Sequence, residues 1–595
     1  MHGSVVASIF FVLACLFFIV GLFLVRKSSN TLNGIAWGVA SILTATCWHA
    51  VVAGIFTLVH LPVSIVSLAV SNLIAGGVLF WVIRRQRIVQ RYDWHAIDTV
   101  VAAVLAVYTV VYFGLRTGGL SFSPNYLAID PAPRFLDAVD VVNTHAVHGM
   151  YYQSLTNGLL ISTLSPLMPP DYYFKIFVFS DGLFLFLAGL MFYGVIRRYL
   201  KTTWLLWVGV GMTVIYLSGY PLNSTLFGFT WLGMGVVLVC YLTFFADSLV
   251  NDEIGKWPGV TLLMAGCLGL FVGYSMFVPV VFVALGLLLL WKYHGSWVLS
   301  RESVLVCLAV FVLPCVIGVV YLYSGTFTDG VTVAGAISAE GAGYRDLFSN
   351  FLPFIPIAAF GAGKMLRGSQ TNLQLIALPV QVVFMAALFI LGMLGKVSSY
   401  YYYKSYYVLW FIMLYLAIIG IVKIANRETA VLVGTYATVW LVVLAMAMSG
   451  VEARIQARSQ MFDPQTKSIG FNDVIMFNRW EILTPREISP DQQALYHYVY
   501  ANCVVPGAPM VPVVSSWENV FWYEAMSAQR DNTWLEATVS NPGWVLSQVK
   551  RSTSTCVLVL TGDDSVAYQA ERGYYDSLPK VYSNGAGFVA TLPGR

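Results

Sequence analysis

The residues best suited to chemistry lie together at Asp130-Pro131-Ala132-Pro133-Arg134-Phe135-Leu136-Asp137-Ala138-Val139-Asp140, with His145 and His148 close behind. A carboxylate at a partly desolvated boundary has its pKa raised toward the range where it can take a proton from a hydroxyl. A guanidinium beside it offers phosphate oxygens a planar fork of donors. Two histidines three residues apart make only a weak metal pair, because no third ligand stands beside them in the sequence. The same residues also admit a plain structural reading. Asp130-Pro131 has the form of a helix N-cap followed by proline at the first helical position. Arg134, Asp137 and Asp140 then recur every three residues, so Arg134 and Asp137 share one helical face while Phe135, Val139 and Val142 share another. The spacing predicts an amphipathic helix at a membrane surface, with Asp130 as either its cap or a general base.

The surrounding chain decides where such a helix lives. The 595 residues are 58% hydrophobic and only 10% charged, with a mean hydropathy of +0.74; soluble domains carry about 25% charged residues. Apolar runs at 4–25, 31–58, 61–83, 95–115, 172–196, 203–220, 225–246, 258–274, 276–293, 303–324, 350–366, 374–395, 405–424 and 430–449 are long enough to span a bilayer. The fold class is therefore mainly α, a polytopic bundle of about 13–14 spans. The first run lacks a basic leader and an Ala-x-Ala site and reads as a retained span. The weakest run is 350–366, which Pro353 and Pro356 interrupt. Arg26 and Lys27, Arg84 to Arg91, Arg197 to Lys201, Lys292 and Arg301, Lys364 and Arg367, and Lys423 and Arg427 occupy alternate connections, which makes those connections cytoplasmic. That pattern requires 350–366 to cross. The loops 116–171 and 325–349, the connection 396–404 and the chain after about 451 then share the outer face. From Gly450 the composition becomes that of a soluble domain. A capped helix at 489–502, strands at 510–515 and 555–561 and a hairpin at 582–592 predict that 451–595 forms a small mixed α/β unit after a membrane domain at 1–450. Its only cysteines, Cys503 and Cys556, form a disulfide if their sulfurs meet.

Other groups stand out against the apolar background. Lys404 sits within Ser398-Ser399-Tyr400-Tyr401-Tyr402-Tyr403-Lys404-Ser405-Tyr406-Tyr407, which serves either as an interfacial aromatic belt or as a site where a cation and phenols such as Tyr403 hold a phosphate. The glycine-rich 325–349 ends in Tyr344-Arg345-Asp346, a connector or a second phosphate contact. Asp181 lies deep in the fifth span and must face protein or water, while Lys175 is near enough to the end to snorkel. His49 reads as a hydrogen-bonded bundle histidine. Trp517, Trp522, Tyr523 and Trp534 either stack on sugar rings or pack a core. Walker and dinucleotide glycine motifs are missing, which disfavours ATP-driven transport by this chain.

An acidic residue opening a large outer loop, a basic residue close behind, a juxtamembrane helix and a C-terminal domain on the same face resemble the GT-C class of membrane glycosyltransferases. Those enzymes take a sugar from a polyprenyl-phosphate carrier, with an acidic residue at the start of the first large outer loop as base. Residue by residue, Asp130 and Arg134 match, as Asp-x-x-x-Arg. The chain departs from the class in placing this loop after the fourth span, with about three additional helices before it. The resemblance implies inverting transfer from a polyprenyl-phosphate sugar to a cell-envelope glycan or lipid-linked acceptor at the outer face of the cell membrane. Asp130 would be the base, with Asp137 or Asp140 as substitutes, and Arg134, Arg345, Lys404, Tyr403 and His148 would surround the donor. No cofactor is required, and a divalent metal ion can be accommodated. Two other activities suit the same layout: a glycan polymerase or ligase fed by a lipid-diphosphate-linked oligosaccharide, and a transporter or flippase of lipid-linked sugars.

Overall fold

The computed structural model describes residues 5–24, 32–86, 92–117, 131–147, 151–168, 173–293, 300–326, 351, 353–367, 372–425, 478, 488–503, 512–514, 517–527, 541–552, 554–562 and 565–592. Asp130, His148, Arg345, Trp534 and the expected run 430–449 lie outside these residues.

Backbone polar groups find no water in a bilayer, so an apolar chain satisfies them within helices. The helices run α1 (Val5–Leu24), α2 (Gly34–Leu58), α3 (Ile65–Gln86), α4 (Ala96–Thr117), α5 (Pro131–Thr144), α6 (Tyr151–Leu164), α7 (Tyr173–Arg197), α8 (Thr203–Ser218), α9 (Tyr220–Leu226), α10 (Thr230–Val250), α11 (Lys256–Tyr274) and α12 (Val278–Tyr293). Further helices follow at Arg301–Thr326, Ile355–Arg367, Leu373–Met393 and Tyr406–Ala425, the first of them widened by a π-turn at Leu308–Val312 just ahead of Pro314, which has no N–H to donate. Among the described residues, eleven helical stretches are long and apolar enough to cross a membrane. The longest, Lys256–Lys292, makes two passes. It breaks at Ser275–Phe277, and Lys292 returns to donate to the Val250 carbonyl at 2.6 Å and to Asp252 at 2.9 Å, beside the stretch's own start.

The proline-interrupted run 350–366 forms a short helix, Ile355–Arg367, parallel to Tyr406–Ala425. Gly361 and Gly420 face each other across this contact, and a Cβ on either would stand 2.2 Å from a carbonyl oxygen of the other helix. Two backbones approach this closely only over small residues. At one end Phe351 packs against Tyr220 and Tyr406, while Met365 meets Asn372 toward the other, so the segment lies alongside Tyr406–Ala425 within the bundle.

The basic connections meet at one end. Arg197 Nε donates to Asp98 at 3.0 Å, Tyr193 donates to the same oxygen at 2.8 Å, and Arg197 Nη2 reaches Asp93 at 3.3 Å. Arg198 pairs with Asp247 at 3.7 Å and Glu253 at 3.4 Å, and Asp247 also accepts from Leu373 N–H and the Tyr415 hydroxyl. Lys256 pairs with Glu302. Buried charges persist only when paired and hydrogen-bonded, and here Arg197–Asp98 ties α7 to α4 and Arg198–Asp247 ties the end of α7 to α10.

The C-terminal unit contains a four-stranded sheet, β3 (Pro512–Val513), β4 (Cys556–Leu560), β5 (Lys580–Asn584) and β6 (Gly587–Thr591), in the order β3-β4-β6-β5; two further short strands, β1 (Leu32–Asn33) and β2 (Tyr92–Asp93), pair between the early helices. The unit's helix Pro490–Asn502 starts in a reciprocal cap between Ser489 and Gln492, and β5 and β6 form the expected hairpin. Cys503 and Cys556 are disulfide-bonded across a separation of 53 residues. In the chain-entropy view a loop of that size is worth about 4 kcal/mol. We expect Cys503→Ser to lower the stability of this unit by about that amount, read as earlier cleavage by protease on warming; an unchanged cleavage temperature would show that the cross-link contributes nothing.

One sheet face packs Val513, Val557 and Phe588 against Val545, Val549 and Tyr575. The opposite face, through Leu558 and Val589, joins the core of the membrane bundle by way of Leu495, Tyr496 and Trp522. The expected membrane-surface helix is present as α5, but eight of its fourteen residues are buried. It is packed between α6 and the helix Trp517–Ser527, so protein covers the faces that were expected to meet lipid and water.

Candidate functional site

Four consecutive residues at the α9–α10 junction tie the chemically interesting groups together: Gly228 and Phe229 before α10, and Thr230 and Trp231 in its first turn. Gly228 ends the α9 turn with φ +72°, a conformation that other residues adopt at a cost. It also lies directly against Pro131, since a Cβ there would sit 2.6 Å from the Pro131 nitrogen and 2.8 Å from its ring. The first turn of α5, which immediately follows Asp130, is therefore seated on this junction.

The next residue faces Lys404. Ser398 caps the short helix Ser399–Lys404 by accepting from Tyr400 N–H, which fixes the direction in which Lys404 leaves the turn. Its Nζ lies 3.9 Å from the Tyr400 ring centre, 5.1 Å from Phe229, 5.5 Å from Trp231, 5.6 Å from Tyr274 and 5.6 Å from Tyr401. The side chain is only 7% exposed. Aromatic faces stabilise a desolvated ammonium by about 2 kcal/mol or more, so five rings make a cationic centre tenable here. Around it Tyr402 and Tyr406 share a hydroxyl contact at 2.9 Å, Tyr407 donates to Asn223 at 2.7 Å, and buried Tyr403 packs on Tyr402. Most of these tyrosines are inside the bundle, not in a lipid-facing belt.

Thr230 donates to Asp181 at 2.7 Å, which explains how a carboxylate is accommodated deep in α7. Lys175, nearer the end of the same helix, is half-buried. Arg134 and Asp137 pair at 3.3 Å as the helical spacing predicts, with Asp137 3% exposed. Asp137 stands two turns beyond the α5 start, about 10 Å along the axis, and is engaged with Arg134. His145 is exposed, with φ +53°, and its carbonyl accepts from Val63 N–H at 2.7 Å, so it terminates α5. Among the described residues no three His, Cys, Asp or Glu side chains gather as metal ligands.

Two sets of expected sugar-stacking aromatics belong elsewhere. Trp522 is buried edge-on against Phe174, which in turn meets Phe135, and Tyr523 packs on Tyr496. Burial in this seam pushes the Tyr496 and Tyr523 hydroxyls to higher pKa. Both residues are core, and neither is available to a glycan.

Trp231 also forms part of the wall of a cavity of about 330 Å³ bounded by α1, α2, α6, α7 and α10. His49 lies in that wall with its Nε2 3.0 Å from Asn72, whose amide donates to Cys15 at 3.2 Å, the hydrogen-bonded bundle histidine expected. The residues missed by sequence reasoning are those at 228–231 and Tyr274. Their signal was a glycine followed by two aromatics between apolar runs, a pattern too common to select. In comparisons with known proteins, no family model matches the chain, and no curated protein matches it.

Proposed function

We propose that the protein is a membrane glycosyltransferase of the GT-C type that moves a sugar from a polyprenyl-phosphate carrier to a cell-envelope or lipid-linked glycan. The seating of Pro131 on Gly228, one residue from a ring that faces Lys404, carries this reading. It brings the start of the acidic loop helix to the same junction as a buried cation. In the proposed reaction Asp130 takes the proton of an acceptor hydroxyl. The freed oxygen attacks the anomeric carbon while the bond from that carbon to the phosphate oxygen breaks on the opposite face, which inverts the configuration. Lys404 and Arg134, with Arg345 from the later loop, stabilise the departing phosphate. Arg134 Nε is buried without a partner, while Nη1 holds Asp137, so the guanidinium retains a donor for an incoming oxygen.

By the positive-inside rule, the end closed by Arg197–Asp98 and Arg198–Asp247 is cytoplasmic and the Lys404 end, with the C-terminal unit, faces outward. Carrier-linked sugar is available there without nucleotide. The buried ion pairs at the inner end also weigh against a flippase, whose path would have to break them.

The direct test is transfer from a radiolabelled polyprenyl-phosphate sugar to glycan acceptor by the purified full chain. Lys404→Met is the informative variant, because a thioether of similar length keeps contact with the aromatic rings. Loss of one charged contact to the leaving phosphate should lower kcat/KM for donor by about 10–100-fold. Undiminished transfer by this variant would remove Lys404 from the site, and lack of transfer with any polyprenyl-phosphate sugar would remove the activity itself.

A further inference from the structure

The cavity of about 330 Å³ between α1, α2, α6, α7 and α10 is separate from the phosphate site, although Trp231 borders both. Its wall is mostly apolar, and on its outer side Val12, Leu16 and Leu183 are exposed on the surface of the bundle. In a chain that spans a bilayer, such a mouth opens toward lipid chains.

Most of the polar groups in the wall have identified partners. Cys15 and His49 are tied to Asn72. Thr46 donates to the Leu43 carbonyl, Thr163 to that of Leu159, Thr230 to Asp181 and Ser180 to the Asn157 side-chain oxygen. Two buried side-chain nitrogens in the wall lack any partner, Asn157 Nδ2 and Trp231 Nε1. Asn157 is 3% exposed and Trp231 8%. Buried polar groups are normally satisfied, and a specific exception calls for an explanation. Both exceptions are N–H donors. The missing partner must therefore bring acceptor oxygens and apolar bulk. A polyprenyl chain brings bulk without acceptors. A diacyl lipid has two ester carbonyls just below its head group, one for each nitrogen. Trp231 lies in the first turn of α10, at the Lys404 end of the bundle, and so near a helix end rather than at its middle.

We infer that this cavity is a binding site for an ester-linked diacyl lipid of the surrounding bilayer, held by Asn157 Nδ2 and Trp231 Nε1 through its carbonyl oxygens. The inference does not depend on the transferase reading.

The test uses full-length protein in vesicles containing equal parts of dioleoylphosphatidylcholine and its dialkyl ether analogue, which has the same head group and chain length but no carbonyls. After extraction into detergent, co-purifying lipid is quantified by native mass spectrometry. Two neutral hydrogen bonds predict retention of ester over ether by roughly tenfold. Asn157→Leu, which removes one donor at similar volume, should reduce that preference to about threefold. Leu183→Trp fills the mouth from an already exposed position and should abolish retention without burdening the core. Equal retention of ester and ether lipid, a full preference in Asn157→Leu, or displacement by added polyprenyl phosphate would each overturn the assignment. Retention of no lipid by the wild-type protein would likewise overturn it, leaving water as the occupant.

Discussion

Replacing Asp130 with asparagine should slow sugar transfer by about 10²–10⁴-fold, the usual worth of a positioned general base. Asparagine is the right substitution because it caps helices as well as aspartate does. The start of α5 should therefore remain on Gly228, and donor affinity and thermal stability should remain near wild type. Asp130→Ala, by contrast, also loses the cap, at a cost of about 1 kcal/mol. If Asp130→Asn transfers sugar at the wild-type rate, the carboxylate is a cap and nothing more. Asp137→Asn should then be assayed for the base role. On its geometry that variant should act chiefly by releasing Arg134, since the two side chains are paired at 3.3 Å.

Gly228→Ala should sharply lower activity. The added Cβ would meet the Pro131 backbone nitrogen at 2.6 Å and Cα at 2.9 Å, and neither is the end of a flexible side chain. The left-handed backbone at φ +72° adds about 1–2 kcal/mol for any residue with a Cβ. Relief requires α5 to move away from the α9–α10 junction, separating the start of the acidic loop helix from the Lys404 cage. We therefore expect a lower unfolding temperature and a fall in kcat of at least tenfold, since misplacement of about 1 Å can cost 10²-fold in rate. Asn, which tolerates the left-handed region, should recover stability in part but not activity, because its Cβ meets Pro131 as well. Gly77→Ala is the control, because a Cβ there meets nothing within 4 Å. Wild-type turnover in Gly228→Ala would mean that the Pro131 contact plays no part in the reaction.

Much of this architecture was legible in the sequence because the bilayer admits so few solutions. Apolar length identified the spans, including the two passes within 256–292, and alternating basic connections identified the end where their ion pairs form. The C-terminal hairpin, the Ser489 cap and the Cys503–Cys556 pair followed from local chemistry that depends on few distant contacts. What escaped was whatever needed three or more segments to converge. The cage around Lys404 draws Phe229 and Trp231 from one junction, Tyr274 from the end of α11 and Tyr400 from its own turn. No spacing rule connects them. The α5 pattern fitted a surface helix because its charges fall on one face, and periodicity alone cannot reveal that another helix covers that helix from above. Trp522 and Tyr523 were ambiguous for the same reason: an aromatic in a polar segment is equally suited to a sugar and to a seam.

The position of α5 has a consequence for how the chain is made. The helix is synthesised early and finds α6 and α7 at once, but its other neighbour, Trp517–Ser527, emerges roughly 370 residues later. At about 5–20 residues per second, this is an interval of roughly 20–75 seconds. Throughout that time Phe174 and the flank of α5 that Trp517–Ser527 later covers stand open, and a chaperone, another nascent chain or the bilayer itself can occupy them. The last fifth of the protein thus acts as a closing clasp on α5, and ribosomal stalling near the C-terminus should leave the membrane portion inserted with that helix uncovered.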